Sequence, residues 1–405
     1  MHFLLMASIN GFNSHEQHPD KEEGSVAYWI FLPSKPPPTD LPSSAPGSSA
    51  AAGASSPSGP RPTQEAGDAL TGGHWLQQEP PAAREDDDDG NSACGSDAES
   101  STASITSSIL NYRTINGRTY HSDSVTDGEY WGPNDKKHLD ALEIYHEAIE
   151  LMLDHKLHMA PIKDNIERAI DIGTGLGIWA IDFADKYPTC EVTGTDITPV
   201  QPSWIPPNVR FEIDDATKEW TYKPNHFDFI HVRFMIGAIA DWPAFYQEAY
   251  RVCKPGGWIE HIDHSPVVSS DDGSVKPGSA LDTYGKVIAQ AGQKMGRSTT
   301  LAQETTMEEG MKAAGFVNVQ VKEFKMPVTA WSKDQREKEI GMYVQTAAGA
   351  DIVGVVQYLY GNIMGWTQDE IEAFATHLAR ELRDFSLHPY YHWKYVWAQK
   401  PEDAE

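Results

Sequence analysis

The chain has only three cysteines in 405 residues, Cys94, Cys190 and Cys253, scattered without the paired spacing of a metal site. An odd, dispersed set builds no disulfide framework, so a reducing, intracellular compartment is expected. Long hydrophobic runs are missing too. No stretch reaches the roughly 18 apolar residues of a membrane span, and residues 1–6 are too short for a secretory core. A soluble protein, cytoplasmic or nuclear and not secreted, is the expectation. Clusters of lysine and arginine are also absent: 32 basic residues stand against 59 acidic ones, for a formal net charge of -27. That leaves no footprint for gripping phosphates, which argues against direct nucleic-acid contact, and no basic import signal. No internal repeat of solenoid or propeller period is present.

What is present is uneven. Hydrophobic residues make up 40% of the chain, enough for a sizeable core. Residues 32–108, however, are dominated by Pro, Gly, Ser and Ala, carry the run Glu85-Asp86-Asp87-Asp88-Asp89, and have hardly any periodic apolar residues. Such a segment cannot bury enough surface to offset its ordering entropy. Residues 1–108 are therefore expected to form a disordered tail before one folded domain over 109–401.

The most informative run is Ala169-Ile170-Asp171-Ile172-Gly173-Thr174-Gly175-Leu176-Gly177-Ile178-Trp179-Ala180. An apolar strand reaches a carboxylate and breaks into glycines, which turn sharply and let a ligand approach the backbone, ahead of a helix N-terminus with unpaired N–H groups. Gly175-x-Gly177-x-x-Ala180 fits a dinucleotide fingerprint. Asp171 counts against it, because its anion would stand beside a bound pyrophosphate; a carboxylate there suits a cationic ligand.

Further strands follow in the order of a doubly wound sheet. Residues 191–196 end on Asp196, about 20 residues past the glycines, where an acid grips ribose hydroxyls. Residues 209–213 lead to Asp214 and Asp215, from which a side-chain oxygen can accept from an adenine amino group. Residues 227–233 form a fourth strand whose end faces the crevice where ligands of such sheets bind. Lys254-Pro255-Gly256-Gly257 stops a helix before a fifth strand. Residues 135–157 have helical apolar spacing, 317–322 alternate as a sixth strand, 334–348 and 367–385 read as helices, and 391–398 as a last strand.

Through D-x-G-x-G-x-G, the later acid of Thr195-Asp196-Ile197, Asp214-Asp215-Ala216 and Lys254-Pro255-Gly256-Gly257-Trp258, the sequence resembles the class I S-adenosylmethionine-dependent methyltransferases. Outside that half, Asn111-Tyr112-Arg113, Gly117-Arg118-Thr119-Tyr120-His121, Tyr130, Pro133-Asn134-Asp135, His146, Lys156-Leu157-His158-Met159-Ala160-Pro161, His388-Pro389-Tyr390 and Lys400-Pro401 resemble the LaeA-like methyltransferases of filamentous fungi. The resemblance spans about 111–401. It implies a Rossmann-like α/β sheet of seven strands, with the last strand antiparallel to the sixth and helices between them as a lid. The domain would divide into an arm and capping helix (109–165), a cofactor-binding half (166–265) and a substrate side with lid (266–401). S-adenosylmethionine would be held by Asp171, Gly173, Gly175, Gly177, Asp196, Asp214 and Asp215. The family includes enzymes of biosynthetic clusters and a regulator of secondary metabolism found with velvet proteins. An O or N atom of a small metabolite is the expected acceptor, and velvet-type partners, or a non-catalytic cofactor sensor, are the alternatives.

Methyl transfer from a sulfonium needs a base only for a protonated acceptor. Candidates cluster at the strand ends: His231 and Arg233 on the fourth, Glu260, His261, Asp263 and His264 on the fifth. His231 and His261 are the expected bases. His261-x-Asp263-His264 lacks a further converging ligand, so no metal is expected. Tyr112, Tyr120, Tyr130 and Trp131 lie in a segment without regular pattern, read as an arm folding over the ligands, while Trp179 is read as helix–sheet packing. Tyr343, Tyr358, Tyr360 and Trp366 are candidate linings of an acceptor chamber.

Overall fold

The strand-forming runs from 168 to 264 are separated by connections too long for a tight hairpin, so the chain returns before it can pair again, and that dictates parallel pairing. The computed structural model has this organisation. It describes residues 69–79, 108–126 and 130–404. A short helix, α1 (Gly72–Leu76), comes first, then strands β1 (Arg113–Ile115) and β2 (Arg118–Tyr120) and helix α2 (Lys136–Met152). The sheet begins with β3 (Arg168–Ile172), α3 (Ile178–Lys186), β4 (Glu191–Asp196), β5 (Val209–Ile213), β6 (Phe227–Arg233), α4 (Trp242–Val252) and β7 (Cys253–His264). After it come α5 (Ala280–Lys294), α6 (Thr306–Ala314), β8 (Val317–Pro327), α7 (Gln335–Ala350), α8 (Ile352–Gln357), a π-helical turn (Tyr358–Ile363), α9 (Gln368–Leu382) and β9 (Tyr390–Gln399).

Seven strands lie in the order β5-β4-β3-β6-β7-β9-β8. The first five are parallel, and β9 runs antiparallel between β7 and β8. This is the expected fold class. The order in which strands are added reverses between β3 and β6, whose registered pairs include Asp171 with His231; ligands of such sheets bind outside the strand ends there.

Helix ends follow their capping residues. Asp135 caps α2, Asp241 caps α4 with Pro243 in the first turn, and Thr367 with Glu370 forms a reciprocal capping box on α9. Where the sequence suggests that Pro255-Gly256-Gly257 separates helix from strand, β7 already starts at Cys253 and the glycines lie inside it. The register against β6 shifts there, and Gly256 N–H donates to Lys400 O at 3.0 Å, so the kink is paired from the last strand.

Two segments depart from expectation. The arm is not patternless: β1 and β2 form an antiparallel hairpin turning on Asn116 and Gly117, both with positive φ (48° and 78°). Residues 69–79, within the stretch expected to be disordered, form a helical turn anchored by Trp75, whose ring meets Phe374 of α9 edge-on at 5.0 Å. One large aromatic among small residues supplies the burial that composition alone hides. The remainder of the expected tail, 1–68 and 80–107, lies outside the described residues. Among the described residues no helix is long and apolar enough to cross a membrane.

Candidate active site

The carboxyl ends of the parallel strands open on a cavity of about 270 Å³. Its wall runs from the glycine turn after β3, past Asp196 at the end of β4 and Asp214 and Asp215 after β5, to an aromatic end under α2, α5 and α7.

The glycines of the turn serve different purposes. A Cβ on Gly177 would stand 2.3 Å from the Phe211 ring and one on Gly173 2.4 Å from Met235 Sδ, so both let side chains close against the turn. Gly175 has φ 55° and a Cβ there would meet nothing within 4 Å. That position opens on the cavity, and its emptiness makes the turn a cradle.

Four acids surround it. Asp171 is buried; its Oδ2 accepts from Thr174 Oγ1 at 2.6 Å and its Oδ1 lies 2.7 Å from His231 Nδ1. Asp196 accepts from the N–H groups of Gly175 and Thr198, both at 2.9 Å, and burial pushes its carboxyl up to about 6. Asp215 is lowered: burial raises it, but hydrogen bonds from Thr126 Oγ1 (2.6 Å) and from Thr217 N–H and Oγ1 outweigh the burial. Both Asp215 oxygens are thus occupied, whereas Asp214 accepts only the Asp215 N–H, on Oδ1.

The arm closes one side. Tyr130 and Trp131 line the cavity, and Trp131 Nε1 donates to Ile236 O at 2.8 Å. Tyr120 instead packs on Tyr358. At the far end Tyr145, Phe234, His264, Tyr284 and Tyr391 form the wall, with Ala347 and Ala348 of α7 and Val355 of α8 across from them.

A model of the methyltransferase domain family described as Methyltransf_23 matches residues 144–321. Methyltransferase pytC of Aspergillus terreus is 35% identical over 306 residues, covering 75% of this chain and 93% of that protein. The secondary metabolism regulator LAE1 of Cochliobolus heterostrophus is 33% identical over 294 residues, covering 71% and 94%. The probable methyltransferase tdiE of Emericella nidulans is 28% identical, covering 65% and 81%. The chain belongs to the LaeA-like methyltransferases.

S-adenosylmethionine is the cofactor of this LaeA-like methyltransferase, and the chemistry of the cavity fits it: the open Gly175 position leaves room for a ligand against the backbone, and the lining acids suit a ligand with cationic and hydroxyl groups. The expected bases do not meet the cavity. His231 is buried behind the turn, stacked on Trp179 with centroids 3.7 Å apart and planes 3° from parallel, and burial pulls its imidazole down to about 4. His261 is fully buried, its Nδ1 2.7 Å from Tyr246 Oη and its ring against Trp242. Both point into packed structure because strand side chains alternate about the sheet and β6 and β7 are buried on both faces. Trp179 packs as expected, its Nε1 donating to Leu157 O.

Tyr358, Tyr360 and Trp366 belong to the lid's own core and not to the cavity wall, and Tyr343 packs beside that core. The π-helical turn after α8 rotates these rings inward, which a plain helical periodicity does not foresee. His146, Glu150 and Asp182 bring possible ligand atoms within 4.8 Å of one another. Arg233 donates to His146 Nδ1 at 2.8 Å, and because arginine only donates, the proton of a neutral ring sits on Nε2, facing the acids and blocking a metal's approach.

Proposed function

We propose that the protein transfers the methyl group of S-adenosylmethionine to an O or N atom of a small, flat and largely apolar metabolite of fungal secondary metabolism. The observation that carries this reading is the continuity of the cavity from the glycine turn to an aromatic, lid-covered end, which is the enclosure a small acceptor needs. Asp171 faces the cationic part of the cofactor, Gly173, Gly175 and Gly177 let it lie against the backbone, Asp196 accepts from the ribose hydroxyls, and Asp214, with Asp215 held rigid by Thr126 and Thr217, accepts from the adenine amino group. The domain works in three parts: 109–165 as arm and capping helix, 166–265 as the cofactor half and 266–401 as substrate side and lid.

When bound, the cofactor supplies a methyl group on a positively charged sulfur, a leaving group that needs no protonation. The chain's contribution is to hold the acceptor oriented and to exclude water, and positioning of this kind supplies much of the acceleration of a bimolecular reaction. The protein acts inside the cell, in keeping with Cys190 and Cys253, which are free and buried.

A second reading is supported by the similarity to a protein named as a secondary metabolism regulator: action in the nucleus through protein partners of the velvet type. Labelled cofactor incubated with the protein and a fungal extract separates the two. Label in small molecules supports the first reading, label in protein the second, and label nowhere, with S-adenosylhomocysteine still bound, indicates a cofactor-binding module without catalysis.

A further inference from the structure

The aromatic end of the cavity carries two polar atoms that the fold leaves unpaired. Tyr145 Oη on α2 and His264 Nδ1 at the end of β7 are both buried, both belong to cavity-lining residues, and neither has a hydrogen-bond partner. A buried polar group without a partner costs stability, and two on one wall mark a surface completed by something else. The ring of His264 is stacked on Trp393 (4.7 Å, 17°) and flanked by Phe234 (5.0 Å) and Tyr391 (5.4 Å). Packing on that many sides fixes its orientation.

Phe234 adds a third observation. It has φ 62°, and the five other non-glycine residues with positive φ among the described residues are Asn, Asp or His, which tolerate that conformation. A bulky aromatic there is strained, and strain persists where the surroundings demand a side chain's placement. The placement in question turns the Phe234 ring against Tyr145 and His264 at the end of β6.

The charges of the cavity decide the acceptor's chemistry. Asp171 in β3, Asp196 at the end of β4, and Asp214 and Asp215 after β5 all belong to the cofactor half, Arg233 and Arg297 are the arginines of the lining, and no carboxylate lines the aromatic end among the described residues. An ammonium placed among these rings would be desolvated without a counter-charge. A hydroxyl on a flat ring has the opposite character, since it stacks on aromatic faces and brings one donor and one acceptor to an imidazole and a phenol.

Resting on the reading of the protein as a small-molecule methyltransferase, we infer that its acceptor is an aromatic hydroxyl, with His264 as the base that takes the phenolic proton and Tyr145 as the group that holds the oxygen. The acceptor oxygen forms its bond to the methyl carbon with its own electron pair, the carbon–sulfur bond breaks with its pair left on sulfur, and the proton leaves the oxygen for the imidazole of His264. Burial pulls the His264 imidazole down to about 4, as it does His231, and the Asp263 carboxylate, 3.9 Å from His264 Nδ1, offsets part of that cost when the ring takes the proton.

The test uses the full chain saturated with S-adenosylhomocysteine, with 2-naphthol and naphthalene as probes of equal shape that differ by one hydroxyl. Calorimetry is expected to show 2-naphthol bound about fivefold to tenfold more tightly, the effect of one satisfied hydrogen bond. Tyr145→Phe and His264→Phe are each expected to reduce that preference while naphthalene affinity holds. With S-adenosylmethionine in place of the product, 2-methoxynaphthalene should form, and His264→Phe should slow it by about 10² to 10⁴. Equal binding of the two probes, a preference intact in both variants, or methoxynaphthalene formed at an undiminished rate by His264→Phe overturns the inference. S-adenosylhomocysteine binding is scored separately: its failure in the unmodified chain counts against the methyltransferase reading, and its failure in His264→Phe alone moves the comparison to His264→Gln, which keeps a polar side chain.

Discussion

His231 Nδ1 lies 2.7 Å from Asp171 Oδ1, on the side of the glycine turn away from the cavity. Burial keeps the imidazole neutral, so with a carboxylate as acceptor its proton sits on Nδ1 and donates to Asp171. Asp171 is thereby held by His231 from below and Thr174 from within the turn. The histidine acts through the acid.

Replacing His231 by Phe is therefore expected to weaken S-adenosylhomocysteine binding by about tenfold and to destabilise the fold by about 2 kcal/mol, the range for a hydrogen bond to a charged group, while kcat at saturating cofactor stays within a few fold. Calorimetry and turnover on one preparation check this. A large fall in kcat with cofactor affinity unchanged would restore His231 as the base.

The turn glycines separate binding from folding. Gly175→Val places a side chain in open cavity space at positive φ, at a strain of about 1–2 kcal/mol, and should abolish S-adenosylhomocysteine binding in a protein that still unfolds cooperatively. Gly177→Ala drives a Cβ into the Phe211 ring and should lower stability by about 1–3 kcal/mol through overpacking. Thermal melts with and without S-adenosylhomocysteine distinguish the two, and retained binding in Gly175→Val would show the turn to be structural alone.

Much of this was legible in the sequence because local residues mark the strand ends: β3 breaks into glycines ahead of a helix, β4 ends on Asp196, and β5 runs into Asp214 and Asp215. The loop at Asp171 to Gly177 and the acids at 196, 214 and 215 stand together because backbone topology places them there, whatever surrounds them. What escaped depended on surroundings. His231, His261 and His264 look alike as strand-end histidines, and only burial on both faces of β6 and β7 separates the two that pack from the one that lines the cavity. The β1–β2 hairpin did carry a local signal, Asn116-Gly117 between Arg-Thr-Ile and Arg-Thr-Tyr. Its purpose is tertiary. Arg118 reaches Asp135 at the cap of α2 and the fully buried Asp351 between α7 and α8, tying arm to lid across 233 residues.

Asp196 makes cofactor binding sensitive to pH. Its folded-state value of about 6 lies above the ordinary 3.8 because of burial, so the protonated form predominates in the free protein only below pH 6, and the stability this contributes is present below about 4 and lost as pH rises through 6. Ribose hydroxyls donating to the carboxylate favour the charged form instead. Affinity for S-adenosylhomocysteine should be level above about pH 6.5 and fall by about tenfold per pH unit below 6, and Asp196→Asn should remove one proton from that slope. A slope unchanged by the substitution would assign the titration to another group.

The N-terminal segment is the place where composition misled, and it yields the most direct test of the fold. Trp75 is buried between Phe374 and His377 of α9, its Nε1 donates to Ala69 O at 3.0 Å, and a Cβ on Gly72 would collide with the Glu370 carboxyl at 2.6 Å. Phe374 in turn packs on Tyr360 and Trp366, so the segment braces the core of the lid. Burying one large aromatic side chain is worth about 2–3 kcal/mol. Removing residues 1–68 should leave denaturant stability and S-adenosylhomocysteine affinity unchanged, whereas removing 1–107, or Trp75→Ala in the full chain, should cost about 2 kcal/mol and speed proteolysis within the lid. The cost falls on the lid alone, because no residue of α9 is among those lining the cavity in the described residues and cofactor affinity rests on the strand ends. Equal stability of the two truncated forms would mean that Trp75 gains no more from α9 than it loses in ordering its own segment.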